Sequence, residues 1–167
     1  MTGEKWRIWA ARVAVVVGAA VVVVSLNWLW GYATTDNPKV IEDPLIVRVA
    51  NAACASMRDE AAAAAVGTSA PMAQRVDAIN TQDNAVVELI TTMHRMVDPR
   101  TLERDQPTDQ WLEDWQRLVT ARDAYARSLA AGKPVPMVLP VIDGQSLADR
   151  LDNVGLNCRV PLVMMEP

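Results

Sequence analysis

Residues 111–129 read Trp-Leu-Glu-Asp-Trp-Gln-Arg-Leu-Val-Thr-Ala-Arg-Asp-Ala-Tyr-Ala-Arg-Ser-Leu. Trp111, Trp115, Leu118, Arg122, Tyr125 and Leu129 recur three or four positions apart, the spacing that stacks side chains on one face of an α-helix. The stretch therefore reads as a helix with one buried face. Thr108 is placed to cap its start and Gly132 to close it, and the polar residues 100–107 before it suit a surface loop.

Upstream, Met72, Val76, Ile79, Asp83, Val86, Ile90, Met93 and Val97 repeat the spacing in a second helix, started by Ser69 with Pro71 and stopped by Asp98-Pro99. Both stripes carry a charge among apolar residues. When the two helices are laid antiparallel with Val97 facing Trp111, Asp83 falls opposite Tyr125 and about one turn from Arg122. A charge buried alone is costly, so Asp83 and Arg122 are expected to pair across the interface, with the Tyr125 hydroxyl as the candidate bridge.

Further upstream, Asp43 followed by Pro44 reads as an N-cap with proline at the first helical position. It opens a helix running to about Val66 and ended by Gly67, with Leu45, Val49, Ala52, Ala53 and Met57 as its apolar face and Cys54 beside it. Downstream, three prolines between positions 133 and 140 alternate with apolar residues and predict an extended strap. Residues 143–154 support a short last helix, with Leu147, Leu151 and Val154 on one face and a Schellman-like close at Gly155 and Leu156. Glu113-Asp114 and Asp149 with Asp152 read as solvated faces, and Met164-Met165 as filler at the chain end.

Cys54 and Cys158 are the only cysteines. An even count outside the cytoplasm is most simply one disulfide, here closing a loop of about 100 residues and contributing about 4–5 kcal/mol in the chain-entropy model. With Phe absent and aromatics at 5%, the core is short of large anchors, and such a staple is then a large share of stability.

The N-terminal end differs in kind. Residues 13–32, Val-Ala-Val-Val-Val-Gly-Ala-Ala-Val-Val-Val-Val-Ser-Leu-Asn-Trp-Leu-Trp-Gly-Tyr, carry no charge and are long enough for a hydrocarbon core of roughly 30 Å. Trp6 and Trp9 precede the run and Trp28, Trp30 and Tyr32 end it, as interfacial belts do. Lys5, Arg7 and Arg12 lie before it, whereas Asp36, Glu42 and Asp43 follow it, which orients the N-terminus to the cytoplasm. The competing reading is a cleaved secretory signal with small residues at Gly31 and Ala33, but the run exceeds the usual apolar core of about 7–15 residues. Both readings export the rest of the chain. The expected organisation is a cytoplasmic tail over residues 1–12, a signal-anchor helix over 13–32, a linker over 33–43 and an extracytoplasmic domain over 44–167. The fold class is all-α: one transmembrane helix plus a disulfide-stapled antiparallel three-helix bundle with a short fourth helix.

Formal net charge is −4, and the tail (Glu4 against Lys5, Arg7 and Arg12) contributes +2, leaving −6 on the rest. Nucleic acid is excluded as a partner on that balance, because phosphate binding needs a basic patch. His94 is the only histidine, and neither a Gly-x-Ser-x-Gly elbow nor a Glu-x-x-His pair occurs. Met93, His94 and Met96 crowd one turn and are the only candidate metal ligands, a soft set suited to copper. Along the apolar run and just before it, Ala11, Ala14, Gly18 and Ser25 form a small-residue seam, with Asn27 near its outer end, where a partner helix in lipid would pack closely. The expected role is a non-catalytic accessory or interaction protein of a membrane complex, without a cofactor. The alternatives are an extracytoplasmic module for a metal or small ligand, and an exported enzyme.

Overall fold

The computed structural model describes residues 17–18, 21–26 and 40–165. The chain forms two compact units, Met1–Pro38 and Lys39–Pro167. In the first, the described positions 17–18 and 21–26 are helical and exposed. Among the described residues no helix is long and apolar enough to cross a membrane, and most of the expected span at 13–32 lies outside them.

The second unit is mostly helical. Helix α1 spans Pro44–Ala63, and Asp43 caps it: its Oδ1 accepts from the backbone N–H of Leu45 at 2.8 Å and of Ile46 at 3.2 Å. The helix ends short of Val66, because Ala65 N–H turns back to the Ala62 carbonyl and tightens the last turn. Its buried face is Ile46, Ala50, Ala53, Cys54, Met57 and Ala61. Leu45 and Ala52, assigned to that face by the sequence, are exposed, because the face is centred on Cys54 and the bond it makes.

Helix α2 covers Met72–Met96 with Pro71 at its N-cap; Ser69 gives it no side-chain cap. The helix packs against both α1 and the third long helix. Facing two neighbours broadens its buried surface to include Ala78, Gln82, Ala85 and Leu89 beside the expected stripe, and Met72 is left exposed.

Residues 100–107, expected as a loop, are mostly helical. Helix α3, Pro99–Arg104, is capped by Asp98, whose Oδ1 accepts from Arg100 N–H at 2.9 Å. Asp98-Pro99 thus stops one helix and starts the next, as Asp43-Pro44 starts α1. Helix α4, Gln106–Ala130, is capped by Asp105, which accepts from Thr108 N–H at 3.2 Å. Thr108 is therefore not the cap; it is buried inside the first turn. Trp111 and Trp115, one turn apart on α4, pack edge to face with centroids 6.2 Å apart. At the other end Gly132 adopts φ +68° while Gly132 and Lys133 donate back to Leu129 and Ser128.

The strap over 133–140 has no regular structure. Strands β1, Val141–Ile142, and β2, Gln145–Ser146, then pair antiparallel with Ile142 opposite Gln145. Asp143 and Gly144 turn between them at φ +52° and +76°, the Asp-Gly pattern of a tight hairpin. This hairpin replaces the first turn of the expected helix over 143–154. Helix α5, Leu147–Asp152, starts only after Ser146, whose Oγ accepts from Asp149 N–H at 3.1 Å. Helix α6, Leu162–Met165, follows Cys158.

Helices α1, α2 and α4 share one core with α5 and α6, closed over Met57, Leu89, Trp111, Trp115 and Leu118. The unit also reaches back before Pro44. Ile41 is buried, and its N–H donates to the Val154 carbonyl at 2.9 Å.

Candidate functional site

Cys54 and Cys158 form a disulfide across 104 residues, with Cα atoms 5.5 Å apart and both side chains inaccessible. Neighbouring polar contacts hold the same junction. Asn51 Oδ1 accepts from Asn157 N–H at 3.0 Å, and Arg58 donates to the Asn157 carbonyl at 2.8 Å. The end of the chain is thus fastened to α1 by one covalent bond and two hydrogen bonds.

Arg122 is 0% exposed and spends its guanidinium on three acceptors. Nε donates to Asp83 Oδ1 at 2.5 Å, one η nitrogen donates to Gln82 Oε1 at 2.5 Å, and the other donates to the Met164 carbonyl. Gln82 in turn donates to the Ala61 carbonyl at 3.4 Å. One side chain therefore ties α4 to α2 and to the C-terminal helix, and through Gln82 to α1. Gln82 and Met164 are the bridges that the sequence did not suggest. Met164 is fully buried, not chain-end filler, and the Tyr125 hydroxyl accepts from Arg75 at 3.1 Å. Burial lifts the Asp83 carboxyl above the usual range, more than the hydrogen bond and charge of Arg122 lower it.

A second polar cluster is one the sequence hid. Asp114, expected on a solvated face, is 2% exposed. Its carboxylate takes Arg117 at 2.5 Å and Arg150 Nε at 2.7 Å, joining α4 to α5. Arg150 is 15% exposed, and its Nη1 stands 3.8 Å from the Asp143 carboxylate at the hairpin tip. Asp114, Arg150 and Asp143 lie along an open cleft of about 260 Å³ between α4, the hairpin and α5, which Gln110, Gln145 and Asn153 also line. A smaller cleft, lined by Val66, Ile79 and Val163 with Arg75 and Gln82, opens where α1 meets α2.

The candidate metal ligands do not converge. Met93 is fully buried in the core, whereas His94 is exposed and Met96 is 60% exposed. Among the described residues no group of three or more His, Cys, Asp or Glu side chains is placed to hold a metal ion. Of the small-residue seam expected to meet a partner helix, Ala11, Ala14 and Asn27 lie outside the described residues. Gly18 and Ser25 are helical and exposed, and a Cβ on Gly18 would meet nothing within 4 Å. Comparison with models of known protein families, with curated proteins and with solved structures finds no match.

Proposed function

We propose that the chain is a single-pass membrane protein whose folded domain, a stapled bundle of three antiparallel helices, stands outside the cytoplasm as a non-catalytic accessory or interaction subunit. The observation that carries this reading is the Cys54–Cys158 bond, buried and fastening the last segment to the first helix of the domain. Such bonds form and persist in oxidising compartments, not in a reducing cytosol. The uncharged run at 13–32, flanked by Lys5, Arg7 and Arg12 on one side only, supplies the anchor and its orientation. An interaction role draws support from the strap and the strand that follows it, where Val135, Val138 and Val141 are 55%, 77% and 69% exposed. Three exposed valines in seven residues form an apolar edge of the kind partners cover.

The test is topology on the full chain. After expression in cells, the protein is expected in membranes that survive alkaline carbonate washing, with the domain open to protease from the outer face and its cysteines unreactive until reduced. Mild-detergent purification is then expected to retain specific membrane proteins. Recovery in the cytosolic fraction with two alkylatable thiols overturns the reading.

A further inference from the structure

Residues 132–144 read Gly-Lys-Pro-Val-Pro-Met-Val-Leu-Pro-Val-Ile-Asp-Gly, a run that is a chemical palindrome about Val138. Val135 matches Val141, Pro136 matches Pro140 and Met137 matches Leu139, while a glycine closes each end. The charges alone change sign. Lys133 stands five positions before the centre and Asp143 five positions after it. Reversing the chain direction therefore keeps the apolar pattern and sets each charge where its opposite stood.

The fold turns one edge of this run outward. Val135, Val138 and Val141, three positions apart, are the exposed valines, whereas Leu139 and Ile142 pack against the core and Met137 and Pro140 are half-buried. A period of three is that of polyproline II, the extended conformation that prolines favour. Prolines 134, 136 and 140 also lack the N–H that an added strand would need, so a partner meets this edge through side chains and not through a strand ladder. Lys133 is exposed, and the Asp143 side chain is 89% exposed with Arg150 Nη1 3.8 Å away. Both charges are open to a partner.

The partner that this pattern fits is a second copy of the same chain. Two such edges laid antiparallel across a two-fold axis bring Val138 against its own counterpart, Val135 against Val141 and Lys133 toward Asp143, the off-axis contacts being made twice as in any isologous interface. The valines leave water and an ion pair flanks them at each end. They bury on the order of a few hundred Å², below the roughly 1,200 Å² at which stable interfaces begin, so the pairing is weak between molecules free in solution. Two copies held in one membrane meet at a raised effective concentration, which lets so small an edge act. We propose that the strap is a self-association edge, through which two membrane-anchored copies pair antiparallel about Val138. The pairing rests on the anchor proposed above.

The experiment is cysteine cross-linking of the full chain in membranes of expressing cells, using two differently tagged versions. Val138→Cys sits on the axis and is expected to form a disulfide-linked dimer under mild oxidation. Val135→Cys is expected to link to Val141→Cys on the other version but not to itself, because its own counterpart stands about 19 Å away at ~3.1 Å per residue, beyond disulfide reach. The native Cys54–Cys158 bond is inaccessible and does not compete. Lys133→Glu sets like charges opposite each other and is expected to cut the Val138→Cys yield at least threefold. Equal self-linking at all three valine positions shows random collision and overturns the proposal, as does a yield that Lys133→Glu leaves unchanged. No dimer at Val138→Cys from chain that withstands carbonate washing overturns the pairing and leaves the anchor standing. Chain recovered in the cytosolic fraction overturns the anchor, and the pairing falls with it.

Discussion

Arg122 Nε lies 2.5 Å from Asp83 Oδ1, joining two charged groups, 0% and 9% exposed at their side chains, in the middle of a helical interface. Removing one member strands the other without water. Asp83→Ala is expected to cost about 3–5 kcal/mol, the range for breaking a buried pair from one side. Asp83→Leu combined with Arg122→Leu removes both charges and is expected to be more stable than Asp83→Ala, although Gln82 and the Met164 carbonyl then lose a donor. Urea unfolding of the three chains checks the order, and a double variant weaker than the single one refutes it.

The same pair gives an unusual pH dependence. Burial raises the Asp83 carboxyl above its ordinary value of 3.8 despite Arg122. The folded state then binds this proton more tightly than the unfolded chain does. The contribution to stability is fully present below 3.8 and is lost as pH rises through the raised folded-state value. The wild type is therefore expected to lose stability relative to Asp83→Asn as pH rises across that window. A wild type that gains on Asp83→Asn instead means the carboxyl is held low.

The disulfide supplies the third expectation. With 104 residues in the loop, reducing the bond or replacing both cysteines by serine is expected to remove about 4–5 kcal/mol in the chain-entropy model. Because Cys54 and Cys158 are both inaccessible, folded protein is expected to resist reductant until it unfolds. Denaturation with and without reductant measures both effects, and a loss below about 1 kcal/mol shows that Arg58 and Asn51 hold the junction without the bond.

Gly155 is legible in sequence as a helix close but not for what it faces. Its φ is +79°, and a Cβ there would stand 2.6 Å from Val40 Cγ1. Gly155→Ala combines backbone strain with a clash and is expected to cost about 1–3 kcal/mol. Adding Val40→Ala relieves the clash and returns part of the loss, while Gly144→Ala, at φ +76° with open space around it, reports the strain alone.

What the sequence reveals about this fold follows from range. The long helices stand on periodicity, a local signal, and the Asp83–Arg122 partners stand on two periodic stripes laid side by side. Helix boundaries fare worse because one signal serves two purposes: Asp98-Pro99 reads as a stop, yet the Asp98 carboxylate caps α3. The hairpin was written in Asp143-Gly144, but the apolar spacing of Leu147 and Leu151 drew those residues into a helix. Pairings with the strap, with Met164 or between Asp114 and Arg150 depend on where the C-terminal third returns, which no local pattern encodes. Asp114 beside Glu113 therefore looks like any solvated acidic pair.

Asp114 and Asp83 offer a controlled comparison, since each is a buried carboxylate gripped by arginine. Asp83 serves Arg122, which has no route to water. Asp114 serves Arg150 and Arg117, whose side chains are 15% and 40% exposed. When Asp114→Ala removes the acceptor, both arginines can turn toward the cleft and the surface and recover hydration, so the desolvation penalty that makes a one-sided break expensive is mostly avoided. Asp114→Ala is accordingly expected to cost about 1–3 kcal/mol, less than Asp83→Ala, although it deletes two ion pairs in place of one. Its second consequence is local: without Asp114, nothing fixes Arg150 Nε, and the η edge loses its orientation in the cleft. Unfolding measurements on the two variants decide the first point. If Asp114→Ala proves the more damaging, the number of partners outweighs their access to water, and the accounting by exposure is wrong.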